Sequence, residues 1–127
     1  MRSVALIVAA MTFGAASAFA ADMAPASTAD TPKGPVLVDG KQMTLYTFAK
    51  DTPTQSSCNG ACASYWPPLM APAAATATGD WTVVTRGDGT KQWAYKGHPL
   101  YRWASDTKPG DMTGDGYANG AWHIAQP

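Results

Sequence analysis

Residues 45–52 and 100–107 of this chain are two versions of one segment, and that duplication constrains the fold more than any other feature. Leu45-Tyr46-Thr47-Phe48-Ala49-Lys50-Asp51-Thr52 returns as Leu100-Tyr101-Arg102-Trp103-Ala104-Ser105-Asp106-Thr107, at a constant offset of 55. Past one inserted residue the match continues, with Pro53 answering to Pro109, Asn59-Gly60 to Asp115-Gly116 and Trp66 to Trp122. Upstream, Val36, Val38 and Gly40 are read as the counterparts of Trp93, Tyr95 and Gly97. Two copies of one sequence make the same local structure and bury the same face, so a pseudo-symmetric pair of packed units is expected.

The local signals are those of strands and turns. Val36-Leu37-Val38, a turn at Asp39-Gly40, and Met43 to Phe48 read as a hairpin. Gln92 to Tyr95, Lys96-Gly97 and Leu100 to Trp103 read as its equivalent in the second half, preceded by a strand over Trp81 to Thr85 and a Gly87-Asp88-Gly89 turn. His123 to Ala125 is a closing strand. All nine acidic residues are Asp, which suits turns and caps, and none is Glu, which suits helix surfaces. Helix signals are weak, and Ser57 to Tyr65 is read as one or two helical turns around the cysteines. The fold class is therefore all-β: two pseudo-symmetric hairpin or meander repeats packed as a sandwich or small barrel.

The ends set the domain plan. Arg2, the apolar run from Val4 to Phe13, and Ala18-Phe19-Ala20 form a signal peptide over 1–20, with cleavage before Ala21. Residues 21–35, rich in Ala, Pro, Thr and Asp, read as a flexible leader. Repeat one is assigned to 36–70, an Ala/Pro/Thr spacer to 71–79, and repeat two to 80–127. Loss of Arg2 leaves a net charge near −1. With no basic stripe, nucleic acid is a poor partner, and no further segment is apolar enough to cross a membrane once the signal is removed. The expected core is aromatic: Tyr46, Phe48, Trp66, Trp93, Tyr95, Tyr101, Trp103 and Trp122.

These residues resemble the secreted-repeat lipoproteins of unknown function, a bacterial family marked by a Y-x-[FWY]-x-x-D motif. Tyr46, Phe48 and Asp51, then Tyr101, Trp103 and Asp106, stand at the motif positions. Further matching segments are Cys58-Asn59-Gly60-Ala61-Cys62-Ala63, Trp66-Pro67-Pro68-Leu69, Gln92 to Tyr101, and Pro109-Gly110-Asp111 through Trp122-His123. The resemblance implies an extracytoplasmic location and paired repeats, and it carries no catalytic residues. This chain lacks a lipidation cysteine at the cleavage site.

Four groups of residues bear on function. Cys58 and Cys62, the only cysteines, are spaced for a structural disulfide in an exported protein, because a helical turn brings their Cα atoms to about 6 Å. His98 and His123, the only histidines, would serve as copper ligands together with Met43, Met70 or Met112, against the plainer role of solvent-facing or hydrogen-bonded side chains. Asp51 and Asp106, at equivalent strand ends, fit carboxylates that accept backbone N–H bonds from a returning loop better than a hydrolytic pair. Asp111, Asp115 and Asn119 lack the spacing of a calcium loop. The function these features favour is a non-enzymatic exported module that binds a small ligand or an envelope protein, with no cofactor. The alternative is a periplasmic copper or redox accessory protein.

Overall fold

The computed structural model describes residues 25–127. The signal assigned to 1–20 and the start of the leader lie outside the described residues. In chain order the elements are β1 (Ser27–Thr31), β2 (Gly34–Val38), β3 (Tyr46–Phe48), α1 (Ala61–Tyr65), β4 (Met70–Ala71), β5 (Trp81–Thr85), β6 (Lys91–Tyr95), β7 (His98–Pro99), α2 (Tyr117–Gly120) and β8 (Trp122–Ile124). The strands form small antiparallel sheets, so the domain is all-β: β1 with β2, β3 with β8, and β6 between β4 and β5 with β7 alongside. Among the described residues no helix is long and apolar enough to cross a membrane.

The duplication reappears as matched backbone hydrogen bonds. Tyr46 N–H donates to Tyr101 O at 2.8 Å, and Tyr101 N–H returns a bond to Tyr46 O at 3.0 Å. Leu45 N–H reaches Leu37 O and Leu100 N–H reaches Trp93 O, both at 3.0 Å. Ala49 N–H donates to Ala121 O and Ala104 N–H to Tyr65 O, both at 2.8 Å. A pseudo-two-fold axis thus passes between Tyr46 and Tyr101.

The tail of each repeat lies against the other repeat. Strand β8, from repeat two, pairs with β3 of repeat one, register Tyr46 with Ile124. Strand β4, from repeat one, pairs with β6 of repeat two, register Ala71 with Lys91. Leu69 N–H donates to Leu100 O at 2.9 Å, while Ala125 N–H donates to Leu45 O at 2.8 Å.

Two details depart from the sequence reading. The leader ends early: residues 27–31 form β1, paired in register with β2 from Ser27–Val38 to Thr31–Gly34. Their own side chains are largely exposed, so apolar content gave no sign of them. What they supply is backbone pairing that covers the outer edge of β2, as β5 does for β6. The upstream equivalence also slides by one. The bonds Leu37 N–H to Ala125 O and Trp93 N–H to Leu69 O make Leu37, not Val36, the counterpart of Trp93. The cause is the turn: the first hairpin closes across Val38 and Thr44, the second across Ala94 and Pro99, one residue tighter. That tight turn puts Lys96 at φ 48° and Gly97 at φ 82°, the two positive values a type I′ loop requires.

The core follows the strand alternation. Alternation along a strand sends Leu45 and Tyr46, and likewise Leu100 and Tyr101, to opposite faces. One cluster gathers Tyr46, Cys58, Trp66, Tyr101, Trp103 and Trp122, with Phe48 partly buried at its margin. The other gathers Leu37, Leu45, Trp81, Leu100 and Ala125, with Trp93 and Tyr95 packed at its edge. Apolar groups thus fill both faces of the central strands, and the expected aromatic set divides between the two clusters, with Trp93 and Tyr95 in the second. On the axis Trp66 and Trp122 stack face to face, ring centroids 3.8 Å apart, an equivalent pair in direct contact. Trp103 lies on the outer side of Trp66 at 4.1 Å, and Phe48 on that of Trp122 at 4.2 Å.

Candidate functional site

The repeated tyrosines and aspartates meet, and they meet crosswise. Tyr46 Oη donates to Asp106 Oδ2 at 2.6 Å, and Tyr101 Oη donates to Asp51 Oδ2 at 2.6 Å. Each repeat therefore supplies the phenol for the other repeat's carboxylate. The second carboxylate oxygens accept from loops of their own repeats: Asp51 Oδ1 from Ser57 N–H at 2.7 Å, Asp106 Oδ1 from Thr113 N–H at 3.0 Å. Each aspartate thus accepts one backbone N–H and one phenol, and sequence spacing alone did not place the phenol.

Burial fixes the protonation of these groups. Tyr46 is held far above its ordinary pKa by burial first and then by its bond to Asp106. Burial, followed by the bond to Asp51, pushes Tyr101 up to about 12. Both phenols stay protonated as donors at physiological pH. Burial also raises Asp51, against the lowering effects of Tyr101, Ser57 and Arg86. Such pairs hold loops in place, and neither aspartate has an oxygen without a partner.

The Tyr101–Asp51 pair sits in a wider polar network. Ser56 Oγ lies 2.5 Å from Tyr101 Oη. The buried guanidinium of Arg86 donates through Nη1 to Ser56 Oγ at 3.0 Å and to Gln92 Oε1 at 2.7 Å. Through Nη2 it donates to Cys58 O at 2.6 Å and Asn59 Oδ1 at 3.3 Å. Gln92 is itself fully buried and donates to Leu100 O at 2.8 Å. None of Ser56, Arg86 and Gln92 stood out in the sequence, because each belongs to one repeat only. The one available signal was Gln92, a polar residue at a strand position whose repeat-one equivalent is Val36. Cys58 and Cys62 form the expected disulfide, Cα atoms 5.2 Å apart, with Cys58 fully buried.

The exposed chemistry lies elsewhere. Tyr117 is 52% exposed and leans on Trp103 at 4.8 Å and on Trp66 at 5.9 Å. Its loop turns left-handed: Gly116 at φ 81°, Ala118 at φ 56° and Asn119 at φ 59°. A non-glycine residue at such values costs about 1 kcal/mol. Tyr65 is 62% exposed and precedes Trp66. Met70 is a further exposed apolar residue, in an open depression shared with Asn59, Ala63 and Pro68.

The two histidines line separate depressions. His98 faces one beside Thr47, Tyr95 and Leu100, and His123 another beside Lys33, Val36 and Asp115; Ile124 and Gln126 contribute to both. His123 Nδ1 lies 3.7 Å from Asp115 Oδ1, whose other oxygen accepts from Lys33 Nζ at 3.0 Å. Burial opposes the Asp115 charge, but Lys33, the Ile124 N–H and His123 outweigh it and hold its pKa below the usual carboxylate range. Among the described residues no group of three or more His, Cys, Asp or Glu side chains converges on one point.

Fold and site together define a class: a two-repeat β domain whose copies complete each other at a shared hydrogen-bonded centre. Residues 27–70 and 82–126, more than half of the chain, match the model of a family described as a secreted repeat of unknown function, and the chain belongs to that family. The family's description supports an exported location. No curated protein and no solved structure matches the chain.

Proposed function

We propose that this protein is an exported, non-enzymatic binding module that docks an envelope protein or a small ligand through the aromatic shelf around Tyr117. The observation that carries this is the shelf's construction. A left-handed turn with Ala118 and Asn119 at positive φ keeps a half-exposed Tyr117 over Trp103 and Trp66. Strained backbone that presents an aromatic ring to solvent is the kind of local cost that function retains. The motif acids, by contrast, are occupied as loop anchors, which speaks for a scaffold and against general acid–base work.

A photo-reactive phenylalanine analogue placed at Tyr117, with one at Asp88 as control, tests this in living cells. An adduct of fixed mass from position 117 and none from 88 is expected. Equal labelling at both positions, or none at either, would sink the proposal.

A copper accessory role is the second reading. It is favoured by two exposed imidazoles, His98 and His123, in depressions that share Ile124 and Gln126. Native mass spectrometry of protein taken gently from its own compartment separates the two. Retained copper that is lost on His98→Ala or His123→Ala selects the metal reading.

A further inference from the structure

The duplication builds one depression twice, and the two copies are filled differently. In each, the tail of one repeat runs beside the outer hairpin of the other. Pro68 and Met70 lie beside the β5–β6 turn, and Ile124 and Gln126 beside the β1–β2 turn. The bonds Leu69 N–H to Leu100 O and Ala125 N–H to Leu45 O make these tails equivalent. Each turn brings a cation, Arg86 in the first copy and Lys33 in the second. Lys33 Nζ meets Asp115 Oδ2 at 3.0 Å, so the second depression holds its own ion pair. In the first, Asn59 stands where the other repeat has Asp115. Its Oδ1 accepts from Arg86 Nη2 at 3.3 Å but brings no charge.

Arg86 is therefore a cation short of a partner. It is only 7% exposed, and among the described residues no carboxylate lies within 4.0 Å of its nitrogens. Asp51 is linked to it only through Tyr101 and Ser56. A guanidinium so far out of water is costly unless it is paired. Its Nη1 and Nη2 hydrogens go to Ser56, Gln92, Cys58 and Asn59, while its Nε–H has no acceptor among the described residues. We infer that this depression is a binding site for a free α-amino acid with an apolar side chain, whose carboxylate takes at Arg86 the place that Asp115 takes at Lys33.

The rest of the lining fits the rest of such a ligand. Asp88 Oδ1 accepts from Thr90 N–H at 3.0 Å and from the Thr90 hydroxyl at 2.6 Å. Those bonds, and more weakly the Arg86 charge, hold the Asp88 carboxyl below its usual range, so it stays ionised. Its Oδ2 has no partner among the described residues and is free to accept from the ligand's ammonium. Met70, 49% exposed, and Pro68 offer an apolar wall to the side chain, and a thioether adapts to different shapes. The depression measures about 590 Å³, within the range of small-molecule sites. No residue of the Tyr117 shelf lines it, so this site stands apart from the shelf. A bulky photo-reactive residue at position 88 would itself fill the depression, and that position remains a control for the shelf.

Isothermal titration of the folded, disulfide-bonded chain with L-leucine, L-methionine and L-phenylalanine tests the assignment. At least one should bind with a Kd of about 1 mM or tighter; no saturable heat from any of the three would overturn it. The matching amide, which lacks the carboxylate, and the matching acid without its amino group should each bind at least about tenfold more weakly. Equal binding of either analogue would overturn an amino-acid site. Asn59→Asp supplies the missing carboxylate from the chain itself and keeps Arg86 in its network. It should abolish binding with the urea midpoint no lower than the parent's. Asp88→Asn, on an exposed turn, gives a second variant and should weaken binding at least about tenfold. Parental affinity in either variant would overturn the inference.

Discussion

The same tyrosine–aspartate pair is set in two different surroundings. Around Tyr101 and Asp51 the chain builds a buried polar network, with Ser56, Gln92 and the Arg86 guanidinium, and closes the neighbouring loop with a disulfide. Around Tyr46 and Asp106 there is, among the described residues, no cation and no bridge. Thr113 donates to the carboxylate through both its N–H and its hydroxyl, and Gly114 N–H reaches the phenol oxygen at 3.3 Å. Gly114 stands where repeat one has Cys58, and a Cβ there would lie 2.7 Å from Trp66 Cη2 and 3.0 Å from Trp103 Cγ. One site is thus secured by charge and covalent closure, the other by close approach of backbone to aromatic rings. The motif specifies the pair, and each repeat found its own way to seal it.

Arg86→Ala probes the first site most severely. It would leave Gln92 Oε1, Cys58 O and Ser56 Oγ short of a buried donor, and a loss of about 4 kcal/mol is expected in urea unfolding. A loss below about 1 kcal/mol would mean that the network contributes no more than a surface contact. At the second site Gly114→Ala forces a methyl group against two indole rings, and about 2 kcal/mol of destabilisation is expected. An unchanged midpoint would show that the tryptophans yield freely and that the close packing is not what seals this half.

Replacing both Cys58 and Cys62 by Ala should cost roughly 2 kcal/mol, because the bridge closes only a short loop. Repeat two lacks a bridge, so the chain should still fold; failure to fold would make the disulfide a condition of the first site rather than an aid to it.

The pH response separates the two halves by sign. Asp51 has a raised folded pKa, so its contribution is present below the unfolded value of about 4 and is lost as pH rises through the folded value. Asp111 and Asp115 have lowered folded values, so theirs is present above about 4 and is lost as pH falls through them. The stability of the parent relative to Asp51→Asn should decline as pH rises through this range, and relative to Asp115→Asn it should decline as pH falls. Slopes of the same sign would remove the distinction.

The strands were legible where the period-two pattern and the turn residues agree. Trp81–Thr85 and Lys91–Tyr95, separated by Gly87-Asp88-Gly89, lie where the sequence puts them, and α1 falls inside the expected 57–65 window. Strand β1 was not legible, because exposed Ser, Thr and Asp side chains give no burial pattern and its role is carried by backbone bonds. The six motif residues were found because they occur twice. Arg86, Ser56 and Gln92 were missed because they occur once, and a buried cation in a loop has no periodicity to mark it. The crossing of the pairs was hidden for a further reason: a repeat shows what is equivalent, and only three-dimensional pairing shows which copy completes which.

The crossing is the claim on which the rest depends, and a pair of double-mutant cycles tests it most directly. Tyr46→Phe is combined with Asp106→Ala in one cycle and with Asp51→Ala in the other, with urea unfolding at neutral pH as the readout. A coupling of about 1 kcal/mol or more between Tyr46 and Asp106 is predicted, with the Tyr46 and Asp51 changes additive to within about 0.5 kcal/mol. Coupling of Tyr46 to Asp51, the aspartate of its own motif, and additivity with Asp106 would contradict a fold in which each repeat is completed by the other.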